Sequence, residues 1–60
     1  MVVTDKAKFY VASSGEFPDK ILFSRDAAIQ SKFNYLDAFD ENGELIERYG
    51  LVDGEYSTDF

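Results

Sequence analysis

The stretch that most limits the fold is Tyr35-Leu36-Asp37-Ala38-Phe39, then Asp40-Glu41-Asn42-Gly43, then Glu44-Leu45-Ile46-Glu47-Arg48-Tyr49. Two runs of strand-forming residues flank four turn formers, which is the pattern of a β-hairpin. Asp at the first turn position and Gly at the fourth fit a type I turn closed by a glycine bulge. That register pairs Phe39 with Leu45, Asp37 with Glu47 and Tyr35 with Tyr49 on one face, and sets Leu36, Ala38 and Ile46 on the other. A tighter turn on Asn42-Gly43 instead places Asp37 opposite Arg48 and Phe39 opposite Ile46. Both registers stand open, because turn geometry and the face pattern do not separate them.

Upstream, Lys8-Phe9-Tyr10-Val11-Ala12-Ser13 is aromatic and β-branched and runs into Ser14-Gly15-Glu16-Phe17-Pro18-Asp19, a loop with an unusual Phe17. Lys20-Ile21-Leu22-Phe23 pairs with the first run as a second hairpin. Ser24 offers an N-cap hydroxyl and Asp26 an acid in the first turn, so a helix is predicted over 25–33. Ile29 and Phe33 share its apolar face with Ala28, and Asn34 closes it in the left-handed region. A rival reading runs the helix on to Phe39 through Leu36 with a weaker stripe. Leu51 and Val52 extend the last strand, and 53–60 reads as a mobile acidic tail. The expected fold is a single small α+β domain over 1–60, ordered β-β-α-β-β, with one helix on a mainly antiparallel four-stranded sheet.

The chain has 60 residues without His, Cys or Trp. A zinc site, a thiol nucleophile, a disulfide frame and an imidazole base are therefore excluded. No metal or other cofactor is expected. So short a chain buries only about 60% of its unfolded surface, and it has no covalent staple, so a partner or a second copy would help it. No apolar run nears the roughly 18–20 residues of a membrane span, and Asp5 follows Met1-Val2-Val3-Thr4 too soon for a signal peptide. A cytoplasmic chain is expected, in the host cytoplasm if phage-encoded.

Twelve acids against six bases give a net charge of −6, which opposes direct binding to nucleic acid or an anionic membrane. The charge is uneven. Residues 1–33 carry four acids and five bases, whereas 34–60 carry eight acids and only Arg48. Those acids alternate with Tyr35, Phe39, Tyr49, Tyr56 and Phe60. One reading is a solvated face that maintains solubility; the functional reading is a docking face in which acids steer a basic protein and aromatics anchor it. The candidate partner-binding residues are Tyr35, Asp37, Phe39, Asp40, Glu41, Glu44, Glu47, Tyr49, Asp59 and Phe60, with no catalytic, cofactor or metal residues.

Carboxylates on two paired strands approach the phosphate density of a duplex, which admits a DNA mimic. Asp37 opposed to Glu47 also admits a glycosidase-type acid pair, but a chain this small offers no substrate cleft. A calcium loop fails, since Gly43 at position six puts Ala38 and Tyr49 where acids are needed. Asp59-Phe60 resembles the acidic-aromatic tips with which bacterial single-stranded-DNA-binding proteins engage basic, apolar-floored pockets; the alternatives are a frayed end or a ring tucked onto the core. The expected function is a non-enzymatic inhibitor or modulator, of phage counter-defence or host-takeover type, docking on a basic surface of a larger, nucleic-acid-handling protein. The alternative is a structural homodimer joined by an exposed strand edge or aromatic face.

Overall fold

In the computed structural model, which describes residues 3–59, the turn at Asp40 organises the hairpin as its residue types dictate. The Gly43 amide donates to the Asp40 carbonyl at 3.0 Å, and Asp40 Oδ1 accepts the Asn42 and Glu44 amides at 2.8 and 2.9 Å. Gly43 takes φ +77°, a left-handed conformation that costs glycine nothing. Two strands leave this turn, β3 (Tyr35–Phe39) and β4 (Leu45–Val52). Both sequence registers are present in succession. Phe39 faces Leu45 next to the turn, then the register shifts, and Asp37 faces Arg48, Leu36 faces Tyr49 and Tyr35 faces Gly50. Ile46 is the extra residue of a β-bulge between the two halves.

β1 (Phe9–Ser13) lies antiparallel to β3, and β2 (Lys20–Leu22) forms a hairpin with β1. The connection between β2 and β3 carries helix α1 (Arg25–Ser31). Ser24 caps it as expected, its hydroxyl accepting the Ala27 amide at 3.0 Å. The helix stops earlier than 33 because Ser31 Oγ donates to the Ala28 carbonyl at 2.7 Å, and Lys32, not Asn34, takes the left-handed position at φ 58°.

The sheet has five strands rather than four, in the order β2-β1-β3-β4-β5, every pair antiparallel. The added strand is β5 (Glu55–Ser57), cut from the stretch expected to be a tail. Asp53 and Gly54 both adopt positive φ, the two-residue hairpin turn that Asp-Gly favours. Tyr56 fixes the strand: its ring is buried and its hydroxyl donates to the Phe33 carbonyl at 2.7 Å.

The core lies on one face of the sheet. Ala12, Leu36 and Ala38 are fully buried there, and their small size lets α1 seat Ala28 against them, with Ile29 and Phe33 at the margin. Beyond the helix, the segment at Val3 and Thr4 crosses the same face. Tyr10 Oη donates to the Thr4 carbonyl at 2.6 Å, the Thr4 amide donates to Tyr49 Oη at 2.8 Å, and Arg25 Nε donates to the Val3 carbonyl at 2.8 Å. Two buried rings thus satisfy backbone that would otherwise be left unpaired. Burial raises the pKa of both phenols, since it disfavours the phenolate.

Candidate functional site

Helix and N-terminal segment occupy one face, and among the described residues no second layer covers the other face of the sheet. Alternation along the strands decides what it carries. From β1 come Phe9, Val11 and Ser13, from β3 Tyr35, Asp37 and Phe39, and from β2 Ile21. Leu45, Arg48 and Val52 of β4 belong to the same side. An antiparallel sheet that meets water ordinarily turns polar residues outward. Here Ile21, Leu45 and Val52 are 58%, 53% and 42% exposed, and the Phe9 and Phe39 rings stack on the surface at 5.2 Å between centroids.

At the centre of this face sits an ion pair. Arg48 Nε and Nη2 donate to Asp37 Oδ1 and Oδ2 at 2.7 and 3.0 Å, a two-point fork. The Asp37 side chain is only 13% exposed and the Arg48 side chain 60%. The hydrogen bond to Asp37, and then its charge, hold the guanidinium pKa still further above its usual value. Among the described residues this is the one salt bridge.

The structure therefore divides the sequence-predicted site. Tyr35, Asp37 and Phe39 do share a face, but Asp37 is neutralised by Arg48 and Phe39 is engaged with Phe9. Tyr49 is a correction: it is wholly buried on the opposite face, because the bulge at Ile46 turns the rest of β4 over. The same shift sets Glu47 opposite Ala38, on the helix side, so Asp37 and Glu47 are not paired carboxylates for either an acid–base couple or a phosphate-like array. Asp40 serves the turn. Glu41, Glu44 and Glu47 are exposed, as is Asp59, and Phe60 lies outside the described residues.

From Glu41 to Arg48 every residue is exposed, so the hairpin end projects past the core. Its carboxylates Glu41, Glu44 and Glu47 have no cation within bridging distance among the described residues. Lys32, at the end of α1 away from this turn, gives its ammonium to the Gly54 carbonyl at 3.2 Å, and Lys8, whose amide donates to the Phe39 carbonyl at 2.8 Å, is the base beside the turn. A different depression, about 280 Å³ and open to solvent, lies between the loop after β1 and the end of α1, lined by Glu16, Phe17, Lys32 and Phe33 among others. Phe17 rims it and is 63% exposed.

The projecting hairpin was legible only in part, since Ile46 reads as a face residue until the bulge is known. No helix among the described residues is long and apolar enough to cross a membrane. No protein-family model matches the chain, and no curated protein or solved structure matches it either.

Proposed function

We propose that the chain is a non-enzymatic, acidic protein-binding module that uses the end of the β3–β4 hairpin to dock on a basic surface of a larger protein and modulate it. One observation carries this reading: folding leaves the acidic pole unneutralised. The only cation of the second half, Arg48, is taken by Asp37, and Glu41, Glu44 and Glu47 project with the 41% exposed Ile46 beside them. Acids around an aliphatic anchor suit a partner whose lysines or arginines ring an apolar spot. Small size and acidity agree with an inhibitor of a nucleic-acid-handling enzyme, of the kind phages deploy against host or defence proteins.

The test is affinity capture from bacterial lysate with the native chain and with Glu41→Lys/Glu44→Lys as baits, washed at two salt concentrations. The reading expects one nucleic-acid-handling protein on the native bait, released by salt, absent from the reversed bait, and inhibited by the purified chain. Equal retention by both baits overturns it.

A further inference from the structure

The open face is separate from the acidic hairpin end and calls for its own occupant. Both edge strands, β2 and β5, are three residues long, which discourages extension of the sheet by edge pairing. The face itself is what remains to be covered. The molecule measures 29 × 25 × 18 Å, and the shortest dimension is that of a sheet with one layer upon it. The two longer dimensions cap the area of that face at roughly 700 Å², of the same order as the about 800 Å² that each partner gives to a stable interface.

We infer that the open face pairs with the same face of a second copy, closing a two-sheet sandwich around a two-fold axis that runs along the β3–β4 boundary. The central ion pair selects this occupant. Arg48 uses two of its five N–H donors on Asp37 and presents the others outward. A wholly apolar partner would desolvate that guanidinium without acceptors, and a basic one would set cation on cation. In the two-fold arrangement, Arg48 of each protomer lies over the partner's Asp37, so two opposed ion pairs meet as antiparallel dipoles. The same axis keeps every residue at its own height along the strands, so Phe39 lies over the partner's Leu45, the residue it faces across the hairpin within its own chain. A face that fits itself in this way is isologous.

The axis also brings the hairpin ends of the two copies to the same side. Glu41 and Glu44 of each protomer then repel those of the other, so association of this kind strengthens as salt screens them. Docking on a basic partner weakens with salt, and the two interactions are thereby distinguished.

Sedimentation equilibrium of the whole chain, from low to high micromolar concentration, decides the matter. Sodium chloride is raised from about 0.1 M to about 1 M, over which the Debye length falls from about 10 Å to about 3 Å. A dimer whose affinity rises with salt is expected, and Glu41→Gln/Glu44→Gln tightens it even where the same change abolishes capture of a basic partner. Leu45→Asn, at a half-exposed neutral position, weakens it about tenfold, and Val52→Asn does so at the other end of β4. The circular dichroism of both dilute variants stays native. A monomer at every concentration and salt overturns the inference. So does a dimer that salt dissociates, or one indifferent to both β4 substitutions.

Discussion

Asp37 and Arg48 stand directly opposite each other on β3 and β4, joined by a two-point hydrogen bond, yet the carboxylate is nearly enclosed while the guanidinium lies half in water. That asymmetry orders the outcome of breaking the pair. Arg48→Met leaves an enclosed carboxylate without its cation, whereas Asp37→Asn leaves an exposed guanidinium that water can serve. Arg48→Met is expected to lower the urea midpoint more than Asp37→Asn does, and Asp37→Leu/Arg48→Met to recover most of the loss. Equal losses for the two single variants would show that the enclosure of Asp37 has no energetic weight.

With Phe39 facing Leu45 beside the turn, the ladder steps by one residue at Ile46 to bring Arg48 opposite Asp37. Removing that residue joins Leu45 to Glu47 and leaves the pairs Phe39–Leu45, Ala38–Glu47 and Asp37–Arg48 intact without a bulge. Ile46 is exposed, so its loss opens no cavity. The chain lacking Ile46 is expected to fold, with urea midpoint little changed and a native circular dichroism spectrum. Failure to fold would show that the bulge supplies twist that the sheet requires.

Tyr10 and Tyr49 hold the Thr4 backbone and are raised in pKa by burial. A phenol whose folded pKa is raised keeps its proton more tightly in the folded chain. Its contribution is therefore complete below about pH 10, the value of a free tyrosine, and is lost as pH climbs through the raised folded values. Urea unfolding of the native chain between pH 8 and pH 12 is expected to show this loss. Tyr10→Phe/Tyr49→Phe is expected to start lower by about 1–3 kcal/mol, because the Thr4 amide and carbonyl lose their partners. Its decline above pH 10 is shallower, and a decline as steep as that of the native chain would assign the pH dependence to other groups.

What the sequence reveals of this molecule follows the range of each signal. The Asp40–Gly43 turn and the Ser24 cap are local chemistry and were readable from neighbours alone. The choice between hairpin registers was not, because each satisfies one end of the hairpin; only the Asp40 turn together with Tyr49 buried under Thr4 requires both. The glycine-bulge register, carried the length of β4, therefore puts Tyr49 and Glu47 on the wrong side, whereas the tighter register places them as found. The fifth strand carried its own mark in Asp53-Gly54, but its anchor is a bond from Tyr56 to Phe33, 23 residues away, that no local pattern reveals.

The contact between helix and sheet rests on small residues. Ala28 on α1 and Ala12 and Ala38 beneath it are all fully buried, and Leu36 fills the space among them. With the helix seated this closely, added methyl groups have nowhere to go except by lifting α1, which would strain the Ser24 cap and the Tyr56–Phe33 bond at its two ends. Ala28→Leu is expected to cost about 1–3 kcal/mol, a fall in melting temperature on the order of 4–8 °C per kcal/mol for a domain of this size. Ala27→Leu, one residue away but exposed, shifts stability by no more than about 0.5 kcal/mol. Thermal melts of the two variants side by side separate the cost of crowding from any general effect of leucine in this helix, and a stable Ala28→Leu chain would mean that the helix sits farther from the sheet than these burials imply.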